Sequence, residues 1–151
     1  MERWIFGMFL AVAAGQDLRK KQVDLWIYGL FGCFAFLLAI GRQLRGAAGF
    51  QWQEYIGGIS IGLMLLGIGM ISRGSIGMGD GLFFLVSGMI LKLPENMLLL
   101  SYGILLCGLY SLGYLVWMHF QAEGIKHMRA QMIPFLPFLI PPGIWLLTVG
   151  I

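Results

Sequence analysis

The chain has 151 residues, 59% of them hydrophobic and 11% charged, with a formal net charge of +3. A soluble domain of this length cannot bury so much apolar surface, whereas a polytopic membrane protein turns it toward the lipid bilayer; the mean hydropathy of +0.85 selects the second class. The small basic excess sits in short loops, with no stripe of Lys and Arg interleaved with aromatics, so no nucleic acid is expected as a partner.

Six apolar segments follow one another at residues 4–16, 25–40, 55–71, 76–91, 97–118 and 132–151, separated by charged or Pro/Gly-rich breaks. The expectation is an all-α membrane protein, a bundle of six transmembrane helices forming one domain over 1–151. The first segment has no basic n-region or small-residue cleavage site and reads as a retained helix. Gly7, Ala11 and Gly15 recur every four residues on helix 1, as do Gly58 and Gly62 on helix 3, a spacing that lets helix backbones approach closely. Cys33 and Cys107 fall inside apolar runs and read as small buried hydrophobes, with no disulfide framework or metal-binding pair.

The basic residues set the expected orientation. Arg19, Lys20, Lys21, Arg73, Lys126 and Arg129 lie on one side, against Arg3, Arg42, Arg45 and Lys92 on the other. The positive-inside rule puts the 17–24, 72–76 and 119–131 segments in the cytoplasm. The 41–54 stretch, with Arg42, Arg45, Trp52 and Glu54, reads as an interfacial linker on the far side. Three crossings separate the end of helix 1 from the start of helix 4. These two ends therefore face the same side whichever way the chain inserts.

Two acids mark those ends. Residues 81–91 are too few to cross a hydrocarbon core of roughly 30 Å at about 1.5 Å per residue. Helix 4 must then begin near Ser75 or Ile76, which draws Asp80 to the membrane edge or below it. A carboxylate there costs about 1 to 3 kcal/mol, depending on depth, and is a functional candidate for that reason. Asp17 has the same predicament at the end of helix 1. Two apposed carboxylates suffice to hydrolyse a peptide without a covalent intermediate: one takes a proton from water, the other donates to the scissile carbonyl. The bland alternative is that each acid caps a helix or pairs with Arg19 or Arg73. Gly77 and Gly79 flank Met78 just before Asp80. Glycine permits positive φ and removes side-chain bulk, so an extended substrate can lie against this turn.

Gly77-Met78-Gly79-Asp80 resembles the GxGD signature of intramembrane aspartyl proteases, and the chain as a whole resembles the type IV prepilin peptidase family. Asp17-Leu18-Arg19, followed by Val23-Asp24, is similar to that family's first catalytic motif. Ile133-Pro134-Phe135-Leu136-Pro137-Phe138-Leu139 is similar to the Pro-Phe-x-Pro-Phe run on its last helix. Presenilin-type proteases match less well, because their Tyr-Asp and Pro-Ala-Leu motifs are absent. Where family members carry a Lys two residues after the second catalytic Asp, this chain has Leu82, and Gln22-Val23 replaces the usual Ile-Pro before Asp24. The Cys-x-x-Cys region of the large bifunctional members is also missing. The resemblance implies an aspartic endopeptidase without methyltransferase activity, as in the small members serving Flp/Tad pili or archaeal preflagellins. It would cut a prepilin-like substrate after a Gly at the cytoplasmic membrane face, with Asp17 and Asp80 catalytic.

Further residues carry two readings each. Asp24 caps helix 2 or contacts a basic substrate leader. Arg19, Lys20 and Lys21 are topology signals at lipid headgroups, or Arg19 grips an acidic substrate residue. Pro134, Pro137, Pro141 and Pro142 interrupt helix 6; with Phe135 they line a wet substrate path, or they make a kinked, tightly packed helix. His119, Glu123 and His127 read as an interfacial loop rather than a metal site, and no cofactor is expected. The rival functions are a small proton- or cation-coupled transporter using the Asp pair, for which no inverted repeat is visible, and a non-catalytic subunit of a secretion machine.

Overall fold

A computed structural model describes residues 2–20, 23–44, 52–71, 77–120 and 134–149. Lys21, Gln22, Arg45, Arg73, Ser75, Ile76, Glu123, Lys126, His127, Arg129 and Ile133, on which several readings above rest, lie outside the described residues, as do the side chains of Arg3, Arg42, Trp52, Glu54 and His119. Among the described residues the chain is all-helical, with no strand. The order is α1 (Glu2–Lys20), α2 (Leu25–Leu44), α3 (Trp52–Ile71), α4 (Met78–Ile90), α5 (Leu93–Phe120), a 3-10 turn (Leu136–Leu139) and α6 (Ile140–Val149).

Local chemistry accounts for the helix starts, and three of them differ from expectation. Helix α4 begins at Met78 rather than near residue 75, because Gly77 is extended at φ −60°, ψ 124°. Its 13 residues reach only about 20 Å. Helix α5 begins four residues before the expected Met97. Pro94 stands in its first turn, where no N–H is needed, and the Glu95 carboxylate accepts the Lys92 N–H at 3.2 Å, one half of a capping box. Pro141 and Pro142 likewise sit in the first turn of α6, so they start that helix rather than break it. The irregular part is confined to the stretch with Pro134 and Pro137.

Helix α4 is short but central, packed against α1, α2, α3 and α5. Its closest neighbour is α3, and glycine makes the approach possible. A Cβ on Gly58 would stand 2.8 Å from the Gly88 carbonyl oxygen, and one on Gly62 would overlap the Leu85 backbone. The expected stripe on helix 1 is not such a seam. Gly7 meets Leu147 of α6, but Ala11 is exposed and a Cβ on Gly15 would meet nothing. Beneath the α1 and α4 ends lies an aromatic layer in which Phe9 stacks on Phe83 at 4.9 Å and Phe83 meets Phe84 edge-on at 5.5 Å.

A buried polar knot ties α3, α4 and α5 together. Asn96 is fully buried; its Nδ2 donates to the carbonyls of Gly58 (3.0 Å) and Phe84 (3.2 Å), and its Oδ1 accepts from Ser87 Oγ at 2.9 Å. Every polar atom of that amide is therefore matched, as burial demands.

The outer surface is apolar. Leu30, Phe34, Phe36 and Leu37 on α2 and Ile104, Leu105, Leu109, Leu112, Val116 and Trp117 on α5 are all exposed. Over Leu93–Trp117 the chain is long and apolar enough to cross a membrane, and 11% of that window is buried; the apolar parts of α2, α3, α4 and the 136–149 stretch are shorter. Cys33 is exposed and Cys107 half-buried, both free. Cys33 thus lies on an outward helix face rather than in the core position expected.

Candidate active site

Four pieces of chain meet at one end of the bundle: the last turns of α1, the first turns of α2 and α4, and the Pro-rich stretch before α6. Helix α1 is joined to α2 by polar contacts. Gln16 Oε1 accepts the Asp24 N–H at 3.1 Å, and Lys20 Nζ pairs with Asp24 Oδ2 at 3.2 Å. The Asp24 side chain thus makes an exposed ion pair with Lys20 instead of capping α2, while its carbonyl accepts the Ile27 N–H. Arg19 is also exposed.

Asp17 points inward and is 8% exposed. Its Oδ2 accepts the backbone N–H of Leu136 at 3.1 Å, across 119 positions of sequence. The reason lies in the Pro-rich stretch. The first N–H groups of any helical turn lack partners within it, and Pro134 and Pro137 carry no N–H at all. Phe138 donates to the Phe135 carbonyl. Leu136, the first residue of the turn, is left with a buried donor, and the Asp17 carboxylate satisfies it. Phe135 and Pro137 are half-buried beside it, with the Phe135 ring 6.4 Å from that of Phe84.

Asp80 lies in the first turn of α4, half-buried, its N–H bonded to the Gly77 carbonyl at 3.0 Å. It lies near enough to Asp17 for that carboxylate's charge to act on it. The glycines around Met78 serve space rather than backbone twist. Gly77 has an ordinary negative φ, but a Cβ on it would stand 3.1 Å from Asp80 Oδ2. A Cβ on Gly79 would stand 3.3 Å from the hydroxyl of Tyr28. Met78 itself is exposed, and Leu82 is half-buried against the core.

Tyr28 was not singled out by the sequence. It occupies the first turn of α2 and is 5% exposed, with its ring edge-on to Phe9 at 6.2 Å. Its hydroxyl is buried without a hydrogen-bond partner among the described residues, and the charges of both Asp80 and Asp17 reach it. The crossing count that brings the two acids to one end also brings the start of helix 2 there. A polar side chain in that first turn was the available signal. Asn96 gives a similar signal, since an amide in an apolar run always raises the question of its partners.

Among the described residues no three of His, Cys, Asp and Glu gather closely enough to share a metal ion. A cleft of about 310 Å³ between α5 and α6, lined by Tyr102, Leu106, Pro141, Pro142 and Trp145, includes neither acid.

Chemically, the arrangement offers two carboxylates on separate helices, one fixed by a backbone N–H, beside a turn whose two glycines leave little room for a side chain. No curated protein and no solved structure matches the chain significantly. The model of the type IV leader peptidase family matches residues 4–112, a stretch that contains Asp17, Tyr28 and Gly77–Asp80 and stops short of the Pro-rich run. Covering well over half of the sequence, that match shows that the chain belongs to the type IV leader peptidase family.

Proposed function

We propose that this protein is an intramembrane aspartic endopeptidase that removes the short leader of prepilin-like proteins, with Asp17 and Asp80 as its catalytic pair. The observation that carries the reading is the arrival of two acids from distant parts of the chain at one end of the bundle, Asp17 held by the Leu136 N–H at 3.1 Å and Asp80 on the glycine turn within reach of the Asp17 charge. Close carboxylates in a low-dielectric site share one proton, which supplies a base and an acid together. The ionised member takes a proton from water as its oxygen attacks the scissile carbonyl carbon. The protonated member donates to the carbonyl oxygen. Collapse of the tetrahedral intermediate breaks the C–N bond, and the leaving amine takes up a proton. Leu136 supports this chemistry by holding one Asp17 oxygen in place and leaving the other to react.

The membrane setting is part of the proposal. The exposed apolar faces of α2 and α5 are what a lipid-facing bundle requires, and the six helices would cross the inner membrane with the 17–24, 72–76 and 119–131 segments in the cytoplasm. A substrate helix resting in the same bilayer would present its polar–apolar junction at the depth of the acids, with cleavage after a Gly on the leader side. The short α4 fits this geometry, because its start then lies below the membrane surface.

The test is direct. Purified protein in detergent is incubated with a synthetic probe bearing a basic leader, a Gly and an apolar helix, and the products are weighed by mass spectrometry. A single cut after the Gly, lost in Asp80→Asn, is expected. An intact probe, together with ion flux in proteoliposomes that depends on Asp80, would replace this reading with a transporter.

A further inference from the structure

We propose that the Tyr28 hydroxyl is a third substrate-contacting group of the site, donating a hydrogen bond to the oxygen of the scissile carbonyl as it becomes an oxyanion. The inference rests on the peptidase reading above and adds to it a residue from α2. Three observations converge. A buried tyrosine hydroxyl normally finds a partner, yet this one has none among the described residues at 5% residue exposure. It lies directly against the Gly79 backbone next to Asp80, where a Cβ would stand 3.3 Å from its oxygen. And it is held there by core packing: Phe9 meets its ring edge-on at 6.2 Å, so the donor is in position before any substrate arrives.

The chemistry suits that position. A neutral phenol donates one hydrogen bond without competing for the proton that the two acids share. The attacking water gives its proton to the ionised carboxylate, the carbonyl π pair moves onto oxygen, and that oxygen collects hydrogen bonds from the protonated carboxyl and from Tyr28. Tyr28 keeps its proton throughout, and the products are the leader's new carboxylate and the mature protein's new amine. A fixed donor aimed at developing charge lowers the barrier without prior rearrangement.

The test compares wild type, Tyr28→Phe and Asp80→Asn, each full-length and purified in detergent, on a peptide with a basic leader ending in Gly followed by an apolar helix. Tyr28→Phe is expected to lower kcat by about 100-fold, leave KM unchanged and keep the unfolding temperature of wild type. Replacing the scissile carbonyl oxygen of the probe with sulfur, a poorer acceptor, should slow wild type more than Tyr28→Phe. A wild-type kcat in Tyr28→Phe, an effect confined to KM, or a fall in unfolding temperature would each overturn the inference; the last would make the hydroxyl a structural bond. If wild type cleaves and Asp80→Asn does not while Tyr28→Phe equals wild type, this inference fails and the peptidase reading stands. If wild type leaves the probe intact, both fail.

Discussion

Removing the carboxylate of Asp17 while keeping or deleting its acceptor oxygen separates its structural role from any chemical one. Asp17→Asn retains an oxygen of the same reach, so the Leu136 N–H, now 3.1 Å from Oδ2, keeps a partner. Asp17→Ala leaves that N–H buried and unsatisfied. A hydrogen bond to a charged acceptor contributes about 1.5–3 kcal/mol, and stranding its partner costs a comparable amount. Asp17 is 8% exposed, so water compensates little. We therefore expect Asp17→Ala to loosen the 134–139 stretch by about 2 kcal/mol and Asp17→Asn by well under half of that. Hydrogen exchange at the Leu136 amide reads this locally: about 2 kcal/mol corresponds to exchange roughly 30-fold faster. Equal protection of Leu136 in Asp17→Ala and wild type would refute the coupling between α1 and the Pro-rich stretch.

Other perturbations probe the packing that positions the site. Asn96→Ala should destabilise the protein by about 1–3 kcal/mol, measured by denaturant unfolding in detergent, because the amide bridges α3, α4 and α5; a neutral result would deny the knot its role. Gly62→Ala should cost about 1–3 kcal/mol through overlap with the Leu85 backbone, whereas Gly15→Ala, with open space around it, should be neutral or stabilise by about 0.5–1 kcal/mol. Similar unfolding of the two variants would contradict the packing described. Gly77→Ala pushes a methyl toward the Asp80 carboxylate at 3.1 Å; cleavage should fall about 10- to 100-fold with the fold retained, and unchanged cleavage would show that the missing side chain at this turn is dispensable.

Much of this arrangement was legible in the sequence for physical reasons. An acid in an apolar segment is expensive, so Asp17 and Asp80 stood out, and counting crossings between them put both at one end. The periodic glycines of helix 3 announced a close contact, realised against α4. Helix 1 carried the same spacing without a seam, because small residues permit approach but do not supply a partner. Helix starts were harder to read. Pro94, Pro141 and Pro142 look like breakers in sequence, yet proline is comfortable in a first turn. The Asp17–Leu136 bond joins positions too far apart for any local pattern to reveal. Asp24 looked like a cap because Asp caps well; Lys20, one helical turn away, competes for the same carboxylate. Tyr28 stayed hidden because a tyrosine in an apolar helix is ordinary until its hydroxyl is seen to lack a partner.

Whether the two acids work as one unit is best tested by cleavage rates of Asp17→Asn, Asp80→Asn and the double variant, with membrane accumulation of each checked alongside. A shared mechanism predicts that either substitution alone lowers the rate to background and that combining them lowers it no further. Wild-type cleavage by either single variant, or losses that multiply in the double variant, would contradict it.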